Sequence, residues 1–162
     1  MTNLEKKVDA LIRVVLAENQ MDFARAKGEL MVLSVTEKED PLTLEREIRN
    51  LLLEIGVPDK RAGHRYAVEA ILLAVDNDDY LHMLHRKLYP TIAEKFNTTP
   101  RQVEANIRRC IDSAWDRGDL KVLEKYFGNT ISRYSARPTT GEFLARMTNE
   151  VRQRMKEASD RA

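Results

Sequence analysis

YPTIAEKFNTTPRQVEANIRRCIDSAW, running from Tyr89 to Trp115, decides how this chain folds. It reads as a short helix, a tight turn and a longer helix whose outer face is rich in arginine. Ala93, Asn97 and Val103 stand four and then six residues apart. Two helices that cross closely need a small residue where they touch, a turn residue that tolerates positive φ, and a β-branched anchor inside the second helix. These three positions supply them in the order a helix-turn-helix requires.

The second helix is specified from its first residue. Thr99 is placed to cap it, Pro100 suits the first helical position, and Gln102 stands where a capping box puts its reciprocating side chain. With Val103 as origin and about 100° per residue, Ile107, Cys110, Ile111 and Ala114 gather on one side, predicted to pack inward. Arg101, Ala105, Arg108, Arg109 and Asp112 fall opposite, with Gln102, Glu104 and Asn106 on the flanks. Arginine, asparagine and glutamine make bidentate contacts with guanine and adenine edges in the major groove. The same pattern also describes an ordinary solvated helix between two others.

The flanking sequence separates these readings. Between about Ile48 and Val151 lie LLLEIGVP (Leu51 to Pro58), a G-x-x-Y-x-x-E-A-I pattern (Gly63 to Ile71) and LYPTIAEKFNTT (Leu88 to Thr99). A V-E-x-x-I-R pattern (Val103 to Arg108), AWDRGD (Ala114 to Asp119), YFGNTIS (Tyr126 to Ser132) and ARPTTGEFLA (Ala136 to Ala145) follow in order. In these pieces the segment resembles the DNA-binding effector domain of the stage zero sporulation protein A family, response regulators of endospore formation. Loop signatures match as well as core positions, which is more specific than a single motif.

The resemblance implies an all-α domain, a bundle of about six helices whose third and fourth form the helix-turn-helix. It also implies binding to a short asymmetric box in double-stranded DNA, often in tandem copies. Glu104 and Arg108 match recognition-helix positions of the family, and Thr99, Arg101, Gln102, Asn106 and Arg109 lie on or beside the expected DNA-facing surface. The resemblance associates the short helix from Asp119 to Phe127 with contacts to RNA polymerase, which makes Lys121, Glu124 and Lys125 candidates there.

The chain departs from the family in two places. The position after Glu104, usually arginine in the family, is Ala105, at the centre of the exposed face and about 200° from Val103. A methyl group can touch a thymine methyl but cannot hydrogen-bond guanine, so about 1–3 kcal/mol of base discrimination is at stake. Secondly, the family carries an N-terminal receiver domain with a phosphorylated aspartate, whereas only about 45 residues precede the matched region here. No alternating strand–helix pattern fits into them. The expectation is therefore a regulator not controlled by receiver phosphorylation, with Asp9, Asp22 and Asp40 as helix-surface or capping residues.

Residues 1–45 read as an N-terminal helical appendage to a DNA-binding domain at 46–162. Leu4, Val8, Leu11 and Val15, widened by Ile12 and Leu16, make one amphipathic stripe, and Phe23, Ala26, Leu30 and Leu33 make a second after a break near Asn19. Gly28 weakens the second helix, and MVLSV could form a short strand. Three readings stay open: an extension of the domain core, a helical hairpin that makes a homodimer, and a site for another protein. Asp40-Pro41 reads as cap and first residue of a helix from Leu42 to Ile55, which Gly56 stops and Pro58 keeps from resuming.

Composition agrees with a helical domain. Of 162 residues, 43% are hydrophobic, enough for a core, while only six glycines and five prolines punctuate the chain, mostly at helix ends. The longest apolar run, Ala70 to Val75, is far short of the roughly 20 residues of a membrane span. With no signal peptide pattern, the expected location is cytoplasmic, with no membrane partner. The lone Cys110 falls on the inward face, as a small apolar residue rather than a reactive thiol.

The net charge of +1 hides an asymmetry: residues 1–45 hold six Lys/Arg against nine Asp/Glu, and the remainder twenty-one against seventeen. A mildly basic domain must cluster its charge to bind DNA, and Arg86, Lys87, Lys95, Arg101, Arg108, Arg109, Arg133 and Arg137 are the candidate phosphate or base contacts. Tyr134 could lie against the DNA backbone. Enzyme readings find little support. His82 and His85 stand three apart as some metal pairs do, but Asp78 and Asp79 are read as caps, and no third ligand is signalled. There is no glycine-rich phosphate loop and no nucleophile with a recognisable base, so no cofactor is expected. The sequence points to a DNA-binding transcription regulator, the alternative being an adaptor that modulates a transcription factor or polymerase through its N-terminal helices.

Overall fold

The computed structural model describes residues 2–19, 41–128 and 137–161, of which residues 12–19 as helix backbone only. The chain divides into two compact units, residues 1–40 and 41–162. In the first, α1 spans Asn3–Asn19. Its start is a capping box that the T-x-x-E spacing encodes: Glu5 N donates to Thr2 Oγ1 (3.2 Å) and Thr2 N to Glu5 Oε2 (2.8 Å). Leu4 and Leu11 are exposed on α1 and Val8 is half-buried. The helix expected over Phe23 to Leu33, the Asp40 cap and the alternative strand at MVLSV lie outside the described residues.

The second unit is all helical among its described residues. Its helices are α2 (Pro41–Ile55), α3 (Ala62–Asp76), the single turn α4 (Asp79–His82), a π-helical turn (Leu84–Leu88), α5 (Tyr89–Lys95), α6 (Pro100–Arg117), α7 (Leu120–Phe127) and α8 (Thr140–Arg161). α2 turns Ile48, Leu51, Leu52 and Ile55 inward at helical spacing. It ends at Gly56, whose φ of 99° lets Val57 N reach back to Leu52 O at 2.9 Å. α3 lies centrally and packs against both α6 and α8. It is apolar on most of its circumference, with Ala67, Ala70, Ile71 and Ala74 buried together with Tyr66 and Val68. α8 begins with a second T-x-x-E capping box, Thr139 with Glu142 (3.0 and 3.1 Å).

Aromatic and ionic contacts close the ends of the bundle. Trp115 meets Phe127 edge-on with ring centroids 4.9 Å apart, and Phe127 stacks on Phe143 at 5.8 Å. Arg152 donates to the Ala74 carbonyl at 2.7 Å and pairs with Asp78 at 2.7 Å, which satisfies the C-terminal end of α3. Tyr126 Oη donates to Glu54 (2.8 Å) and accepts from Arg154 (2.6 Å). Burial pushes the Glu54 carboxyl up, but the hydrogen bonds from Tyr126 and Arg154 and the charges of Lys125 and Arg154 outweigh it and hold the carboxyl below its ordinary value.

Two readings of the sequence need correction between α3 and α5. The turn into α4 is capped by Asn77, whose Oδ1 accepts from Asp79 N at 2.9 Å, while Asp78 is drawn away to Arg152. His82 and His85 do not share one helix, because Met83, at φ −128° and ψ 56°, separates α4 from the π-helical turn.

The tightest constraint lies between α3 and α6. A Cβ at Gly63 would stand 2.2 Å from the Asn106 carbonyl oxygen and 2.6 Å from Cys110 Sγ. Gly63→Ala must therefore move the backbone of α6 away from α3. A loss of about 1–3 kcal/mol is expected from the overpacking, measured by urea denaturation; wild-type stability would show that the two helices are not held at this distance.

Candidate nucleic-acid interface

α5 and α6 pack on each other through the turn between them. Ala93 and Val103 are buried at the contact. Asn97 has φ 52°, the only non-glycine residue among those described with a positive φ. Its short side chain tolerates the left-handed region that the turn needs. Thr99 Oγ1 accepts from Gln102 N at 3.2 Å, and Pro100 opens α6. The Gln102 side chain, read as the returning half of a capping box, lines the outer groove of the helix.

α6 buries Val103, Ile107, Cys110, Ile111 and Ala114, the inward set read from the sequence. Burial pushes the Cys110 thiol up, which keeps it protonated and unreactive. The outer face divides in two. Its N-terminal half forms an open groove lined by Thr99, Arg101, Gln102, Ala105, Asn106 and Arg109. Arg101, Gln102 and Arg109 are exposed. Neither arginine forms an ion pair with a described residue. Asn106 is half-buried and donates one Nδ2 hydrogen to the Gln102 carbonyl at 2.8 Å, which leaves its second amide hydrogen and Oδ1 to meet a base.

The C-terminal half is ionically self-contained. Arg108 donates to the Pro138 carbonyl at 2.7 Å and pairs with Asp112 at 3.2 Å. Arg137, reaching in from the chain ahead of α8, pairs with Asp112 at 3.1 Å, donates to the Asp112 carbonyl at 3.3 Å and pairs with Asp116. Two of the arginines read as DNA contacts are thus joined to each other through Asp112 of α6. Sequence reasoning placed Asp112 on this face but had no signal for its link to position 137, twenty-five residues away. Glu104 stands apart, on the side of α6 nearest the π-helical turn, its carboxylate 3.9 Å from His85 Nδ1. Arg133 and Tyr134 lie outside the described residues.

The other candidate cations vary. Arg86 is exposed. Lys87 lies over the Tyr80 ring at 4.6 Å and 3.9 Å from Asp79. Lys95 is held by Glu69 at 2.7 Å. Tyr89, at the start of α5, is buried, and burial, followed by the negative charge of Glu104, pushes its phenol up to about 12.

The positive φ of Asn97 offers a direct check on the turn. Asn97→Gly is expected to leave stability within a few tenths of a kcal/mol, while Asn97→Val costs about 1–2 kcal/mol, because a β-branched Cβ clashes with its own carbonyl there. Thermal unfolding of the two variants measures the gap; equal stabilities would mean that position 97 does not hold the left-handed conformation.

The small residue, the left-handed turn, the capped second helix and its arginine-bearing face together fit a helix-turn-helix. The family described as Sporulation initiation factor Spo0A C terminal matches residues 48–151, which contain this unit and the helices that support it. Among the described residues, no helix is long and apolar enough to cross a membrane. The chain belongs to the Spo0A C-terminal family of DNA-binding effector domains.

Proposed function

We propose that the chain is a sequence-specific transcription regulator that presents the N-terminal half of α6 to the major groove of double-stranded DNA. One observation carries this reading: Arg101 and Arg109 are exposed on either side of Ala105, and neither is paired with a described residue. Unpaired arginines can meet phosphates or guanine edges without first breaking an ion pair. The positive dipole end of α6 favours phosphate at the same place. Arg108 and Arg137 instead hold the chain ahead of α8 against α6. Ala105, between the two exposed arginines, suits contact with a thymine methyl and shifts sequence preference away from an arginine–guanine pair.

Because this face lies open in the chain as described, DNA binding is proposed to need no aspartyl phosphate. The exposed Lys121 and Glu124 on α7 are compatible with contact to RNA polymerase. Leu4 and Leu11, exposed on α1, favour a second and compatible reading in which the N-terminal unit binds another chain, as a homodimer contact or as an adaptor.

Arg101→Ala with Arg109→Ala should weaken binding to a selected duplex and make its salt dependence shallower by about 1.8 in log–log slope if both side chains meet phosphate. Arg108→Ala is expected to act chiefly on stability, through loss of the Pro138 contact. Gel-shift titrations over a range of salt read the affinity and its slope, and urea denaturation reads the stability of Arg108→Ala. Unchanged affinity and slope in the folded double variant would move the interface elsewhere. A wild type that shifts no duplex but co-purifies with a protein would favour the adaptor.

Acetyl phosphate should leave wild-type binding unchanged in the same assay. An increase in affinity that depends on an aspartate of this chain would overturn phosphate-independence.

A further inference from the structure

His85 lies outside the helix-turn-helix, in the π-helical turn that feeds α5, yet it reaches the recognition helix. Its Nδ1 stands 3.9 Å from a Glu104 carboxylate oxygen. The imidazole is set edge-on against the Tyr89 ring, with centroids 5.3 Å apart, and Tyr89 is buried. One side of the imidazole is thus supported by a ring that cannot move freely, while His85 itself remains largely exposed, at 74% of its side chain. π-Helical turns re-aim the side chains they carry and recur at functional positions. Here the wider turn follows the break at Met83 and directs the chain into α5.

We propose that His85 is a positioning residue for base recognition: it holds the Glu104 carboxylate, and its protonation state sets how Glu104 reads DNA. The inference rests on the reading of α6 as the recognition helix. A carboxylate with free oxygens accepts from the N4 amino group of cytosine. An imidazolium at this ion-pair distance offsets its charge and relieves its repulsion of the phosphates. Neutral imidazole leaves the carboxylate to the base. Histidine is the side chain whose charge ordinarily changes in the physiological range.

The surroundings leave these two groups facing each other. α6 contributes Glu104, while Arg108, one turn further, is turned to Pro138 and Asp112. α5 contributes Tyr89, whose phenol is held up to about 12 and stays protonated. On the π-helical turn itself, Arg86 is exposed and Lys87 is drawn to Asp79 of α4. α8 meets the turn where a Cβ on Gly141 would stand 3.1 Å from Leu84, and the neighbouring Glu142 carboxylate accepts from Thr139 N. The other two histidines are placed differently: His64 is buried on α3, and His82 is exposed on α4.

Selection from a randomised duplex pool, run at about pH 5.5 and about pH 8, tests the proposal on the full chain. At one position of the selected motif, wild type should prefer cytosine more strongly at the higher pH, by roughly two- to fivefold, the range of an exposed ion pair. His85→Ala should return the high-pH motif at both values, and His85→Arg the low-pH motif at both. Glu104→Gln should lose the cytosine preference at both, and His82→Ala should behave as wild type. A His85→Ala protein that keeps the wild-type pH dependence overturns the proposal, as does a wild-type motif identical at the two values. If wild type selects no motif at either pH, the DNA-binding reading itself has failed, a result distinct from a motif that ignores pH.

Discussion

Between α3 and α6 there is no room for a side chain at position 63, where a Cβ would stand 2.2 Å from the Asn106 carbonyl oxygen. This contact sets the depth at which α6 sits, and much of the unit follows from it. Gly118, just past the end of α6, is equally crowded: a Cβ there would stand 2.7 Å from the Ile55 carbonyl oxygen. The first glycine lets the backbone of α6 approach α3, and the second lets its end approach the end of α2. The apolar face of α6 then fills the interior, and its opposite face is left outward with little freedom to rotate. A helix proposed to read bases needs such a rigid seat, because base contacts tolerate little misplacement.

The outer face of α6 carries charges of both signs, and their division is what makes half of it available. Asp112 and Asp116 engage Arg108 and Arg137, with Arg137 arriving from the segment ahead of α8. These pairs are partly exposed and each is worth little in stability. Their consequence is positional: they tie the start of α8 to α6. Among the described residues, the N-terminal half has no such acids facing its arginines, apart from Glu104 on the flank, which meets His85. The modest net charge of the chain is therefore a poor guide to the local field at the groove.

The segment from Asn77 to Leu88 shows how a short stretch can escape periodicity. Two acids and two histidines invite a reading as caps and a helical pair. The turn is capped instead by Asn77, with its amide oxygen on Asp79 N, and Arg152 takes Asp78 for the end of α3. Met83 then breaks the helix and the next turn is wider, with Leu88 N returning to Met83 O at 3.1 Å. His85 is thereby carried to α6 rather than aligned with His82. A spacing of three residues means a shared face only while the helix between them is regular.

By itself the sequence determined whatever depends on local spacing. The α5–turn–α6 unit, the left-handed Asn97, the Thr99 cap, the end of α2 at Gly56 and the five buried positions of α6 were all legible. Each is set by the backbone preferences of neighbouring residues or by the period of a helix. Only the tertiary structure decided which arginines are engaged. Arg101, Arg108 and Arg109 look alike on a helical wheel, yet Arg108 is bound to Pro138, thirty residues on, and the Arg137 that shares Asp112 with it lies beyond α7. The pairing of His85 with Glu104 likewise joins two separate elements of the domain. Ion pairs of this kind depend on where separate elements come to rest, and helix periodicity carries no information about that distance.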